Sequence, residues 1–404
     1  MNATRDITIL FSTRIIRLFC YGFLSFVLTL YLIETGLTVG QAGLIFSLTL
    51  AGDAGITLLL TTHADRFGRK RTLLIGALLM LGAGIVFLLT QNIILLIAAA
   101  IIGVISPSGN EIGPFLSVEQ AGLSQLISNE KRTQVFAWYN LVGSFATAAG
   151  VKVGGLVVSS LLARGVSELE SYRAVLAGYS VGGFVLFLLF LNLSAAIEVQ
   201  STTKQKTTLG LHRSRAVVLR LSTLFALDAF AGGLIVQSLL VYWFKNNFPQ
   251  ADIGLLSNIF SSANVLAGIS ALLAVPLAKK IGLINTMVFT HIPSNILLIL
   301  LPFMPSLPLA IGLLLLRFSI SQMDVPTRQS YTIAVVDPDE RSAAAGVTAI
   351  ARSVGASVSP MLTGLFFSIP TLLSVPIILS GSIKIIYDLL LYREFSAVKP
   401  PEEN

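Results

Sequence analysis

Long apolar stretches separated by short polar segments run along the whole chain. Residues 73–89 and 174–193, for example, contain no Lys, Arg, Asp or Glu. Such stretches approach or reach the roughly 20 residues that a helix needs to cross about 30 Å of hydrocarbon. Strands of membrane barrels instead alternate over roughly 10 residues. The pattern therefore predicts an all-α membrane protein with about twelve transmembrane helices.

Charge is scarce and unevenly distributed. Of 404 residues, 54% are hydrophobic and 12% are charged, whereas a soluble domain carries roughly 25% charge. Every second polar segment is basic, as in residues 63–71 and 278–282. The positive-inside rule then places both termini and the basic loops in the cytoplasm. This topology accounts for the net charge of +7, so nucleic-acid binding is not expected.

The N-terminal region reads as a transmembrane helix. Its apolar stretch over 9–33 is too long for a cleaved signal and contains Arg14 and Arg17. With loops this short and no cleavable signal, we expect a multi-pass protein of a prokaryotic inner (cell) membrane.

The chain lacks the residue patterns of a catalytic or metal centre. Its single cysteine, Cys20, excludes an intramolecular disulfide and a multi-cysteine metal site. The sequence contains no HExxH or GxSxG motif and no paired histidines. We therefore predict that the protein is not an enzyme and binds no cofactor or resident metal.

A polar segment near the midpoint divides the chain into two similar halves. We predict a six-helix half over 1–197, a linker over 198–216, a second half over 217–393 and a tail over 394–404. Residues 128–155 align with 337–364 at an offset of 209, which places Arg132 on Arg341. Gly68 falls on Gly282 at a similar offset. Internal repeats of this kind are typical of transporters.

The segment "ADRFGRKR" (64–71) resembles the loop between the second and third helices of the major facilitator superfamily. Departures are Thr61 and His63, where the family has Gly and Leu. The matching positions are Ala64, Asp65, Arg66, Gly68, Arg69 and Lys70. The resemblance implies two pseudo-symmetric six-helix halves around a central cavity lined mainly by helices 1, 4, 7 and 10. It further implies a monomer that works by rocker-switch alternating access.

The same loop is a candidate cytoplasmic gate. Gly68 permits a tight turn, Asp65 can accept hydrogen bonds at a helix N-terminus, and Arg69 can bind a carboxylate through two hydrogen bonds. The resemblance implies that such groups latch the halves together in one state. The alternative is that the basic cluster only sets topology. The predicted gate residues are Asp65, Arg66, Gly68, Arg69 and Arg341.

Several ionisable residues fall inside the predicted helices, where charge is costly and each such group is a functional hypothesis. In transmembrane helix 4, Glu119 and Glu111 would lie roughly 13 and 25 Å from the end near Ser128, with a kink at Gly113 and Pro114. The candidates for substrate binding or proton coupling are Glu119, Arg328, Glu111, Asp53, Asp324, Asp228 and Arg17.

The repeat places four of these charges at related positions. Glu119 falls on Arg328 at an offset of 209, and Arg17 falls on Asp228 at an offset of 211. We predict a near-neutral charged ring in which Glu119 carries the proton and movement of Arg328 switches its protonation, with Asp53 and Glu111 as the next candidates. Static roles remain open: a Glu119–Arg328 pair, a Glu111–Asn110 bond, a snorkelling Arg17, or a helix-linking Asp53.

The remaining charged residues of the helices are not candidates for substrate binding or proton coupling. Arg352 and Lys152 are expected to be structural partners away from the lining, whereas Arg317 and Lys384 have no assigned role. His291 lies outside any ligand constellation.

We therefore expect a secondary active transporter, a proton-coupled exporter of a small organic solute, with the lipid bilayer as its other partner. Uptake stays open. One alternative is a transporter of a metal cation or metal complex, because several candidate residues supply oxygen ligands and one supplies a thioether. These residues are Asn110, Glu111, Glu119, Gln120, Met323 and Asp324. The other is a non-transporting membrane receptor or partner protein on the same scaffold.

Overall fold

The computed structural model describes residues 2–111, 113–198, 213–337 and 340–398, without the side chains of 2, 61–66, 129–134, 137 and 342. The described residues form α-helices joined by short connections. The helices are α1 (Asn2–Ser25), α2 (Leu28–Glu34), α3 (Val39–Phe67), α4 (Arg69–Leu89), α5 (Ile93–Ile102), α6 (Phe115–Leu126), α7 (Asn129–Ala163), α8 (Glu168–Leu191), α9 (Arg215–Gly233), α10 (Gln237–Asn247), α11 (Ile253–Ile281), α12 (Leu283–Leu300), α13 (Leu307–Phe318), α14 (Asp324–Ala334), α15 (Arg341–Phe367) and α16 (Val375–Phe395).

These helices account for twelve passages through a membrane. Ten described segments are long and apolar enough to cross, and α5 and α13 are shorter apolar helices. Four transmembrane helices are each broken into two pieces: helix 1 (α1 and α2), helix 4 (α5 and α6), helix 7 (α9 and α10) and helix 10 (α13 and α14). The predicted all-α fold is confirmed.

The break in transmembrane helix 4 corrects the sequence prediction of a kinked but continuous helix. The helix stops at Ile102 and resumes only at Phe115. Gly109 and Gly113 between them have φ values of 72° and 79°, a region that L-residues other than glycine rarely adopt. Glu111 therefore lies in an irregular segment rather than on a helix.

Two compact units make up the described structure. The first unit comprises residues 1–203 and 237–261, and the second comprises 204–236 and 262–404. The helix α10 and the start of α11 thus belong to the first unit. Most of the predicted linker, residues 199–212, lies outside the described residues, so the proposed division into halves stays a prediction.

Glycines allow the closest helix packing in each unit. In the first unit, Gly22 of α1 lies directly against the carbonyl of Thr147 on α7. In the second unit, Gly233 of α9 lies against the carbonyl of Ala356 on α15. Small residues let membrane helices approach closely. These pairs are related by the offsets of 211 and 209, so both units pack in the same register.

A pair of turn glycines repeats in the same way. Gly68 joins α3 to α4 with φ 95°, and Gly282 joins α11 to α12 with φ 86°. Both are left-handed conformations that favour glycine.

Adding a single methyl group should separate these helix pairs. We expect Gly22→Ala and Gly233→Ala to destabilise the protein by about 1–3 kcal/mol, because the new Cβ would overlap a backbone carbonyl of the facing helix. Thermal unfolding in detergent would measure the loss.

Gly312→Ala on α13 is the matched control, since its Cβ would meet nothing within 4 Å. Equal stability of all three variants would contradict the close helix approach.

Candidate functional site

A buried ion cluster joins transmembrane helices 1 and 4 in the first unit. Arg17 of α1 donates from Nη1 and Nη2 to the two carboxylate oxygens of Glu119 on α6, each at 2.7 Å. Its Nε donates to Glu111 at 2.8 Å. The side chains of Arg17 and Glu119 are fully buried. The carboxylate of Glu119 is therefore held by a two-point charge-assisted contact without access to water.

Neutral donors and a second arginine complete this cluster. Thr13 donates to Glu119 at 3.0 Å, and the hydroxyl of Tyr139 donates to the other oxygen of Glu119. Arg14 pairs with Glu111 and donates from Nε to the Tyr139 carbonyl at 3.3 Å. Two arginines thus face two glutamates, and both arginines are at least 95% buried.

Aromatic rings cover both guanidinium groups. The Arg17 guanidinium carbon lies 4.6 Å from the centre of the Phe115 ring, and that of Arg14 lies 4.7 Å from the Tyr139 ring. Rings at this distance attract the cation electrostatically. The two arginines and two glutamates of this cluster balance in charge, and the rings of Phe115 and Tyr139 cover its guanidinium groups.

Asp53 of α3 lies outside this ion cluster. It accepts a hydrogen bond from the backbone N–H of Gly113 at 2.5 Å and one from Thr57 at 3.3 Å. No lysine or arginine is among its partners in the described part of the chain. Asp53 therefore ties α3 to the break in transmembrane helix 4 through neutral donors.

A second cluster centres on Asp228 of α9 in the second unit. One oxygen accepts from Arg328 of α14 at 3.2 Å and from Arg352 of α15 at 2.9 Å. The other accepts from Lys384 of α16 at 2.6 Å. Arg328 also donates to Asp324 at 2.7 Å. One carboxylate thus holds three cations from three helices.

A histidine–aspartate pair lies beside this second cluster. Nδ1 of His291 on α12 is 2.8 Å from Asp388 of α16, and Asn295 donates to the other oxygen at 3.3 Å. All three side chains are buried. The sequence analysis missed this pair and gave Lys384 no role. The signal available was the four-residue spacing of Lys384 and Asp388, which puts both on one helix face.

The two clusters repeat one ion pair with its signs exchanged. Arg17 pairs with Glu119 in the first unit, and at the related positions Asp228 pairs with Arg328 in the second. The sequence analysis matched these four positions and left a Glu119–Arg328 pair open. The described bonds of Glu119 go to Arg17, Thr13 and Tyr139, and a Glu119–Arg328 pair stays a prediction. A charged ring around a cavity stays a prediction.

Two smaller expectations also change. Arg17 is buried in its ion pairs and does not snorkel. Glu111 bonds Arg14 and Arg17, whereas its expected static partner was Asn110. Arg352 pairs with Asp228, as expected of a structural partner, and its distance from a cavity lining stays a prediction.

The candidate gate is only partly described. The side chains of Asp65 and Arg66 lie outside the described residues. Glu198 accepts from the backbone N–H groups of Arg69 and Lys70 at 2.7 and 3.1 Å and so caps α4. A carboxylate at a helix N-terminus also interacts favourably with the positive end of the helix dipole. Arg69 donates to the Ile197 carbonyl at 3.1 Å. Arg341 begins α15 and is exposed. The gate itself stays a prediction.

Twelve membrane helices, four of them broken, with ion clusters buried in the membrane region, define the class of multi-pass membrane transporters. The family model of the Major Facilitator Superfamily matches residues 10–386. The chain belongs to this family, which is one of transporters and not of enzymes.

Known proteins agree with this assignment. The uncharacterized membrane protein YJR124C of Saccharomyces cerevisiae is 31% identical over 98% of this chain and 95% of its own. Among solved structures, the nucleoside transporter NupG is similar with TM-score 0.76 at 15% identity, covering 98% of this chain and 99% of its own. A D-xylose–proton symporter is similar with TM-score 0.72 at 15% identity, covering 97% and 98%. A bacterial homologue of the human lysosomal transporter Spinster is also similar, with TM-score 0.72 at 14% identity, covering 98% of each chain.

Breaking the Arg17–Glu119 pair from one side should be more harmful than removing both charges. We expect Arg17→Gln or Glu119→Gln alone to cost roughly 3–5 kcal/mol, because each leaves a buried charge uncompensated. The double variant should lose less than the sum of the two. Thermal unfolding of all four proteins would give the coupling energy.

The exposed pair Glu170–Arg173 provides the control cycle, with a coupling of about 0–1 kcal/mol. Equal coupling energies in the two cycles would count against a buried ion cluster in the first unit.

Proposed function

We propose that this protein is a secondary active transporter that exports a small organic solute by alternating access, coupled to protons. The observation that carries the proposal is that each of the four broken transmembrane helices contributes a charged residue to one of the two buried clusters. Discontinuous helices near the membrane midplane form the substrate sites of many transporters. Buried ionisable groups in membranes mark such pathways because their cost must be offset by function or pairing.

Contacts within the first unit support loading from the side of the basic loops. Thr29 of α2 donates from its backbone N–H to Ser238 of α10 at 2.8 Å, and their hydroxyl groups are 2.7 Å apart. Ser238 donates to the Pro107 carbonyl at 3.1 Å, and Gln237 donates to Ser25 at 2.9 Å. These bonds tie transmembrane helices 1 and 4 to helix 7.

Further bonds of the same kind join α7 and α8 to α10 and α11. Ser261 donates to the Ala148 carbonyl at 2.9 Å, and Lys245 pairs with Glu168 at 3.2 Å. These contacts lie away from the basic loops, and in our proposal they close that side. With the basic loops in the cytoplasm, a solute would then have access from the cytoplasm, where an exporter loads it and an importer releases it.

Asp53 is the carboxylate that we propose carries the coupling proton. Protonating Glu119 or Asp228 would leave its cluster with one more positive charge that no carboxylate of the cluster balances, inside the membrane. Protonating Asp53 would leave no cation unpaired, because its described partners are the Gly113 N–H and the Thr57 hydroxyl. The sequence ranking, which put Glu119 first, is therefore changed in this proposal, and Glu119 becomes the anchor of the first cluster.

The alternatives gain no specific support. Glu111, Glu119 and Asp324, the carboxylates among the possible ligands of a transported metal cation, are all engaged by arginines. We keep the monomer and the cytoplasmic termini as part of the proposal. The prokaryotic membrane stays a prediction, and the curated relative is a yeast protein.

Replacing Asp53 should separate proton movement from solute movement. In proteoliposomes with a pH-sensitive dye inside, we would screen nucleosides, pentoses, organic acids and hydrophobic amines for solute-driven proton flux. Asp53→Asn should abolish the proton flux while solute exchange between the two sides continues, because exchange needs no net protonation change.

Glu119→Gln is the comparison variant, and folding of both variants is checked by thermal unfolding. Unchanged proton flux in Asp53→Asn would refute its proposed role. If no solute of the screen moved protons in the wild type, proton coupling itself would be rejected for these classes.

A disulfide between positions 29 and 238 should lock the closed side. In Thr29→Cys/Ser238→Cys the two sulfur atoms would replace hydroxyl oxygens that are 2.7 Å apart, close enough for a disulfide after a small shift. Oxidation should stop transport and reduction should restore it.

The single-cysteine variants are the controls, and the native Cys20 is buried. Full transport in the cross-linked protein would show that this side does not need to open.

A further inference from the structure

The second cluster differs from the first because one of its cationic side chains, that of Arg352, is partly exposed. The side chain of Arg352 is 32% exposed, whereas those of Arg328 and Lys384 are 9% and 11% exposed. Asp228, which holds all three, is 3% exposed. Among these side chains, Arg352 is therefore the one that is substantially exposed.

Arg352 has hydrogen-bond donors to spare. Its bond to Asp228 uses Nη1. Nε and Nη2, which form the edge that binds a carboxylate through two parallel bonds, have no partner among the described residues. Asp228 already accepts from Arg328 and Lys384 as well. Asp388, one turn beyond Lys384, is engaged by His291 and Asn295, so no described carboxylate serves this edge.

The partly exposed side chain of Arg352 lies deep in its helix. Arg352 is roughly 17 Å along α15 from its start, at about 1.5 Å per residue. A charge at such a depth faces a water-filled space or a polar partner and not hydrocarbon. The edge is therefore placed where a solute can reach it.

In the first unit, an arginine from another helix fills the space at the position related to Arg352. Gly143 of α7 occupies the position related to Arg352 at the offset of 209. A Cβ at Gly143 would be 2.8 Å from Nε of Arg14, which fills this space from α1. Arg14 is 5% exposed and paired with Glu111. The positive charge at this position is thus buried and paired with a glutamate in the first unit, whereas in the second unit it is partly exposed.

We propose that the Nε–Nη2 edge of Arg352 binds a carboxylate group of the transported solute, which is therefore an organic anion. Lys384 and Arg328 support this subsite by holding Asp228, which in turn fixes Arg352 through Nη1. The inference rests on the proposed transport function, because it names the solute class for that function.

The test measures binding without transport. The full-length protein in detergent is unfolded thermally with acetate, benzoate, succinate or glutarate, each compared with the corresponding amide at an ionic strength fixed with chloride. We expect at least one carboxylate to raise the unfolding temperature and its amide to have no effect. Arg352→Gln should weaken the apparent affinity roughly tenfold to hundredfold, as expected for a lost charge-assisted contact.

Two variants make the result specific. Arg352→Lys keeps the charge but loses the two-point edge, so it should retain a weaker shift. Arg164→Gln, at an exposed arginine just after α7, should bind as the wild type does. A shift by the amides, an unchanged shift in Arg352→Gln, or no shift by any carboxylate would each overturn the proposal.

Transport then separates this inference from the proposed function. Uptake of the binding acid into proteoliposomes that is lost in Arg352→Gln would support both. Binding without transport would retain the anion subsite and reject the transporter. Transport of an uncharged solute that is indifferent to Arg352→Gln would retain the transporter and reject the anion subsite.

Discussion

The pairing of charges inside the membrane is the constraint on which the rest of this structure depends. An unpaired arginine or glutamate in hydrocarbon costs several kcal/mol, so Arg17 must meet Glu119 and Asp228 must meet Arg328. These two pairs fasten transmembrane helix 1 to helix 4 and helix 7 to helix 10. Each cluster thus links its helices through buried charges.

The break in transmembrane helix 4 follows from the same requirement. A continuous helix 4 could not deliver both Glu111 and Glu119 to one arginine, since the eight residue steps between them would span roughly 12 Å. The irregular segment around Gly109 and Gly113 lets the chain return and present Glu111 to Arg14 and Arg17. Tight contacts at Gly22 and Gly233 pack α1 against α7 and α9 against α15, the helices that carry Tyr139 and Arg352.

The internal repeat makes the difference between the clusters informative. Both derive from one register, yet the first balances two arginines against two glutamates in a closed environment. The second gathers three cations on Asp228 and leaves Arg352 partly exposed. A closed cluster is suited to holding helices together, and an open cationic cluster is suited to receiving an anion. In our proposal, this contrast gives the two units different tasks within one transporter.

The sequence by itself determined the twelve membrane helices, their repeat and the four related charges Arg17, Glu119, Asp228 and Arg328. Hydrophobic length and basic loops are local properties, and membrane thickness fixes what they mean. Only the tertiary structure decided which charge meets which. Pairing depends on helix rotation and on the break before Phe115, where steps of 100° per residue no longer apply. For the same reason Arg352 and Lys384, on helices that packing alone turns towards Asp228, could not be placed from the sequence.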